Sequence, residues 1–158
     1  MGISNELLFN LLSYTPGPFW LMILFLPSNR KAMLGVDVYL IILSLLFVIQ
    51  TIPELNYILS IILEPTFLEM KNFIGSEAGF LGTWNHMILS DLWIGRWVAH
   101  DSLQFNHSLL IRLLIIPVIM VLGPFGLFFY LLFKIIKTRN LGFYSHTEKK
   151  EKQLRYMK

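Results

Sequence analysis

Cysteine is absent from the 158 residues. Disulfides, thiolate metal sites and cysteine nucleophiles are therefore excluded. Charge is scarce: Asp, Glu, Lys and Arg make up 15% of the chain, where a soluble domain carries about 25%. Histidine numbers only four. No two histidines stand at the i, i+3 or i, i+4 spacing that places paired metal ligands on one helix face. No glycine-rich phosphate loop, no Ser-His-Asp array, no internal repeat and no low-complexity tract is present. What the chain has instead is apolar length. Hydrophobic residues make up 55% of it and its mean hydropathy is +0.61. Such runs call for lipid rather than water as their solvent.

About 20 mostly apolar residues span a bilayer as a helix, and four stretches qualify. The first, 7–26, contains Pro16, Gly17 and Pro18, so it is expected to kink. The second, 36–60, ends or bends at Pro53. The third covers 81–101. The fourth, 109–136, contains Gly123-Pro124-Phe125-Gly126 and should kink there. Between the second and third, Phe67, Met70, Phe73 and Ile74 recur at helical spacing among charges, which predicts a short interfacial helix. The first apolar run has no preceding Lys or Arg and no small-residue cleavage pattern, so a span is expected there rather than a signal peptide. The predicted fold is all-α: an integral membrane bundle of four helices over residues 1–136, with a basic tail at 137–158.

Charge is uneven along the chain. Residues 137–158 hold seven Lys/Arg against two Glu, and the other 136 residues hold six against eight Asp/Glu. A basic segment directly after an apolar run reads as a cytoplasmic membrane-flanking tail rather than a nucleic-acid arm. Four spans place both ends of the chain on that side. Arg30 and Lys31 then fall on the opposite side, against the positive-inside rule.

The third span is the polar one: "WNHMILSDLWIGRWVAHDS", 84–102. A helix advances about 100° per residue. His86, Trp93, Trp97 and His100 then form one stripe, within about 40° of His86. Asn85 and Arg96 line up beside it, and Asp91 and Gly95 lie on roughly the far side. A helix polar on several faces belongs inside a bundle, packed on more than one side. Gly95 allows a neighbour close approach. Asp91 needs a partner, because an ionised carboxylate is costly in lipid. Arg96 is about 140° away on the same helix, so Tyr14, Gln50, Glu54 and Tyr57 on other helices are the candidates. The competing explanation is structural: polar residues as internal glue and helix-end anchors, with tryptophans in an interfacial belt. That explanation is strongest for Arg96, His100 and Asp101, near the helix end.

Two cofactor chemistries fail on residue inventory. His86 and His100 are 14 apart, a spacing that lets one helix serve two haems. Each haem would need a second axial histidine from another span, and the other spans have none; His107 is a loop residue. Nor do His86 with Asp91, or His100 with Asp101, have metal-ligand spacing. No cofactor and no metal is expected.

Trp84-x-His86, then "SDLWIGRW" with His100-Asp101-Ser102, then "GPFGLFFYLLF", resembles the abscisic-acid-deficient-type membrane proteins of plant plastids and photosynthetic microbes. "PFWLMILFLP" in the first span is similar to their first-span signature. The likeness covers most of 15–135, and the third-span motif is its most specific part. It implies four spans and a carotenoid-related role, since plant members are required to form neoxanthin from violaxanthin. That conversion is an isomerisation of an epoxide end group to an allene. It needs an acid near the epoxide oxygen and a base near the departing proton, with no redox cofactor. The resemblance points to His86, Asp91 and Arg96 as the catalytic set. Trp84, Trp93, Trp97, His100 and Asp101 are then the residues lining a carotenoid or another apolar small molecule. The expected location is a bacterial inner membrane or a thylakoid. The alternative function is a non-catalytic subunit that binds pigment or lipid, or that assembles with a photosynthetic membrane complex or a second copy of itself.

Overall fold

The computed structural model describes residues 4–105 and 108–139. His107 and most of the basic tail lie outside the described residues. Within them all regular structure is helical. Helix α1 (Asn5–Tyr14) begins at Ser4, whose hydroxyl accepts from the Leu7 N–H. Thr15 and Pro16 keep right-handed helical angles, so α2 (Gly17–Phe25) continues α1 as one kinked stretch of 21 residues. Helix α3 (Arg30–Thr51) is capped by the Asn29 side chain. Pro53 forces one 3-10 turn, and α4 (Leu55–Leu63) carries on to complete 34 residues. These two stretches are long and apolar enough to cross a membrane. The short helix expected near 67–74 is α5 (Phe67–Gly75), capped by Thr66. The third expected span is α6 (Glu77–Gln104), opened by Ser76.

Helix α6 is the axis of the molecule and is walled on three sides. On one side Trp20 of α2 lies where a Cβ on Gly95 would stand. On the second, α3 runs antiparallel to it, tied through Asn85 and Arg96. On the third lies the helix that begins at Gly123. The core between these walls holds Ile23, Val36, Leu92, Val98, Ala99 and Ile119, none more than 1% exposed. The outer surface is apolar too: Ile41, Leu45, Ile49, Leu114, Phe128 and Ile136 are all exposed. An outside as apolar as the inside is the pattern of a surface solvated by lipid.

The expected fourth span is not one kinked crossing. Helix α7 (Leu109–Val121) ends at Leu122, whose φ of −142° and ψ of 67° leave the helical region. Helix α8 (Gly123–Thr138) then runs back beside α7. Pro124 stands in its first turn, where no N–H partner is lost. Gly126 packs so closely on Ile119 that a side chain there would strike it. The start of α8 meets α6 at Asp91 and its end meets α6 at Asp101. The hairpin thus enters from one end, reaches about 20 Å along the axis, the length of the 13 residues of α7 at about 1.5 Å each, and returns. The sequence signal at 123–126 marks a reversal, because a glycine at the contact lets two helices pack where a bulky residue would hold them apart.

That reversal sorts the charges. Arg30 and Lys31 begin α3 at the end where Lys137 and Arg139 finish α8. Glu54, Glu64, Glu69 and Glu77 gather with Lys71 at the other end, where Asn5 donates to Glu77. Arg30 and Lys31 lie with the start of the tail, not opposite it as four crossings required.

Candidate functional site

Three sides of α6 are closed, and the fourth shows a stripe. His86 and His100 are exposed, and Trp93 is 58% exposed. Trp97 leaves the predicted stripe by leaning inward, edge-on to Tyr130. Trp84 lies on the α1 side, donating to Ser13 Oγ at 3.1 Å among Phe9 and Phe80.

His86 borders two hollows. One, of about 210 Å³, is lined by Phe47, Gln50, Thr51, Glu54, Ile58, Phe73, Ala78, Gly79, Gly82, Thr83 and His86. It lies between the end of α3, the turn into α4, α5 and the start of α6. The second, of about 340 Å³, runs on from His86 past Leu40, Ser44, Leu89 and Ser90 to Trp93. The first has apolar walls and a polar edge of Gln50, Glu54 and His86. The ring of Phe47 stands 5.7 Å from that of His86. The space exists because α6 is small there. A Cβ on Gly82 would meet nothing within 4 Å.

Behind the polar edge, Asn85 is fully buried. Its Nδ2 donates to Leu43 O at 3.3 Å and to Gln50 Oε1 at 2.9 Å. Gln50 Nε2 and Asn85 Oδ1 are buried without a protein partner.

Asp91 does not share this cavity. It lines a separate cleft of about 290 Å³ with Ser13, Trp20, Trp84 and Met120. The backbone N–H of Gly123 donates to its carboxylate. The partner of Asp91 is therefore the N-terminus of α8, with its positive dipole end, and none of the four side chains expected from sequence. Tyr14 is 78% exposed, and Gln50 and Glu54 stand with His86 instead. Arg96 pairs with Asp37 of α3 at 3.1 Å.

Asp101 is not a helix-end anchor. It is 4% exposed, accepting from Tyr130 Oη at 2.6 Å and Lys134 Nζ at 2.8 Å. The Lys134 ammonium also lies over the Trp97 and Phe105 rings, 5.5 and 4.6 Å from their centres. Both Asp101 oxygens are thus held within the protein. The described residues contain no cluster of three or more His, Asp or Glu able to hold a metal ion.

Sequence reasoning missed Asp37, Tyr130 and Lys134 as partners, and placed Gln50 and Glu54 with the wrong acid. One signal was available. Phe47, Gln50, Thr51 and Glu54 fall at i, i+3, i+4 and i+7, as do Gly79, Gly82, Thr83 and His86. Each set marks one helix face.

A family model described as ABA DEFICIENT 4-like matches residues 7–130. No curated protein and no solved structure matches the chain.

Proposed function

The chain belongs to the ABA DEFICIENT 4-like family, and from that premise we propose that it is an integral membrane protein acting on the oxygenated end ring of a xanthophyll. Membership implies a carotenoid-related function, tied to neoxanthin. The observation that carries the proposal is the cavity that unites His86 and Glu54, two proton-exchanging side chains, under apolar walls. Ligand pockets take this form: mostly apolar, with a few placed polar groups. At about 210 Å³ it suits one end ring rather than a whole carotenoid. The hollow leading from His86 to Trp93 then receives the polyene.

The isomerisation balances without an oxidant or reductant. One group delivers a proton to the epoxide oxygen and the ring C–O bond breaks. The other removes a proton from the adjacent polyene, and its electron pair forms the second of two cumulated double bonds. His86 and Glu54 fill these roles. Asp91, expected from sequence to share them, instead holds the start of α8. Arg96 holds α3 through Asp37. We read three crossings, α1–α2, α3–α4 and α6, with the α7–α8 hairpin entering partway, where the sequence led to an expectation of four. In this reading Arg30, Lys31, Lys137 and Arg139 share the cytoplasmic side, in keeping with the positive-inside rule.

Pigment analysis tests the function. In cells making epoxy-xanthophylls, the wild type shifts the epoxide pool toward an allenic product. His86→Ala and Glu54→Gln abolish the shift, and Asp91→Asn retains it where the protein accumulates. Gly82→Leu fills open space, so it blocks the shift without lowering stability. A wild type that leaves every carotenoid unchanged yet co-purifies with one defeats the enzymatic step and leaves a pigment-binding role.

A further inference from the structure

Two threonines line the His86 cavity, Thr51 from α3 and Thr83 from α6, and their hydroxyls differ. The Thr51 hydroxyl is closed within its own helix, donating to the Phe47 carbonyl at 2.7 Å. Further along α6, Ser90 and Ser102 donate in the same way to Met87 and Ala99. This is the ordinary state of a hydroxyl inside a helix, because a carbonyl three or four residues earlier lies within its reach. Thr83 departs from it. Among the described residues it is the one Ser or Thr within a helix whose hydroxyl makes no hydrogen bond. Nor is that hydroxyl sealed. Thr83 is half-buried, and its oxygen is not closed off as Gln50 Nε2 and Asn85 Oδ1 are. The cavity therefore has an open, uncharged polar group on its α6 wall.

The other polar groups of the cavity are committed. The Gln50 carbonyl accepts from Asn85, and His86 and Glu54 have the proton-exchanging roles proposed above. The walls of Phe47, Ile58 and Phe73 offer a hydroxyl no partner. An apolar occupant that covers the Thr83 hydroxyl leaves it unpaired, whereas one that supplies an oxygen satisfies it. Sites built to hydrogen-bond a ligand oxygen reject the analogue lacking it for this reason. Thr83 and His86 stand at i, i+3 on one face of α6, about 4.5 Å apart along its axis. A ring held at Thr83 is thus set beside His86. Resting on the proposal that this cavity takes a xanthophyll end ring, we infer that Thr83 binds the ring hydroxyl. Its O–H donates to that oxygen, and the epoxide is left to His86 and Glu54. Hydroxylated end rings are selected over hydrocarbon ones. Thr83 touches the ligand but exchanges no proton with the epoxide.

The test is ligand binding to the purified full-length chain in lipid nanodiscs, followed by tryptophan quenching. The probes are β-carotene and zeaxanthin, which differ by the ring hydroxyls alone. The wild type should bind zeaxanthin about tenfold more tightly, the value of one net hydrogen bond of about 1.4 kcal/mol. Thr83→Val keeps the shape and removes the hydroxyl, so it should bind both probes alike, at the β-carotene level. The change in the ratio on substitution cancels any difference in how the probes partition into lipid. A merely structural role for Thr83 would weaken both probes together and leave the ratio as it was. Thr83→Val should also unfold no more readily than the wild type, because it removes an unpaired polar group. Thr83→Ala is the second variant should Thr83→Val fail to fold, with the same ratio expected. Thr51→Val, which removes a hydroxyl already bonded to Phe47, should keep the tenfold preference. A preference that survives substitution at Thr83, or that Thr51→Val abolishes as fully, overturns the inference. So does a wild type that binds both probes equally, although the cavity then stands as a carotenoid site. A wild type that binds neither defeats the proposed function itself.

Discussion

The two ends of α6 are equally polar in sequence and opposite in structure. Toward its C-terminus, Asp101, Tyr130 and Lys134 form a closed group. Each named polar atom has a partner, and Lys134 is 1% exposed. Toward its N-terminus, His86, Gln50 and Glu54 surround a hollow, with an amide nitrogen left unpaired. Polarity within an apolar helical bundle therefore has two meanings. Where the groups satisfy one another, they hold helices together. Where polar side chains border an open hollow, they are free to meet something from outside. Residue type does not separate the two cases, since Asp101 and Glu54 are both carboxylates.

The sharpest way to break this contrast is to open the closed end. Lys134→Ala leaves the buried Asp101 carboxylate with the Tyr130 hydroxyl but no counter-charge, and should destabilise the protein by about 3–5 kcal/mol. His86→Ala at the open end should leave stability nearly unchanged. Replacing both partners, as Asp101→Leu with Lys134→Met, should recover most of the loss, because well-packed apolar groups substitute for a buried ion pair. Reversible unfolding in mixed micelles measures all three. A His86→Ala protein as unstable as Lys134→Ala would show that His86 is structural and erase the distinction.

A smaller effect lies between the two ends. Gly123 opens α8 directly against the Asp91 carboxylate, and a Cβ there would displace it. Gly123→Ala should cost about 1–3 kcal/mol by overpacking. Gly82→Ala, facing open space, should be neutral or stabilise by up to about 1 kcal/mol, because alanine favours a helix over glycine. Both replace a helical glycine by alanine, so the difference between them reads the space alone. Equal stabilities would mean that the hairpin tip does not pack on Asp91.

The helices and their apolar faces were legible in the sequence because period and length are local properties. The kink at Pro16, the break at Pro53 and the short helix at Phe67–Gly75 all stand where the residues predict. The reversal at Leu122 was not legible as such. Gly-Pro-x-Gly serves a kink or a turn equally, and only the contact of Gly126 with Ile119 decides. The partner of Asp91 escaped for a related reason. A backbone N–H at a helix start carries no side-chain signature, so an inventory of polar side chains passes over it. Assigning His86 to a site was possible from the motif. Pairing it with Glu54 required knowing that α3 and α6 run antiparallel, which brings Gln50 and Glu54 beside the start of α6.

The Arg96–Asp37 pair grades the comparison. It lies on α6 between Asp91 and Asp101, yet it is not closed: the side chains are 21% and 48% exposed. A single contact from Arg96 Nε to Asp37 Oδ1 joins them, without the bidentate geometry that makes such pairs strong. The coupling measured by a double-mutant cycle of Arg96→Gln and Asp37→Asn should therefore be the smallest of the set, about 1 kcal/mol or less. It should weaken as salt is raised, while the Asp101–Lys134 coupling stays constant, because only exposed charges are screened. A salt-independent coupling above about 3 kcal/mol would place Arg96 in the same sealed class as Lys134. The open face of α6 would then begin nearer to His86 than the exposures of Trp93 and His100 indicate.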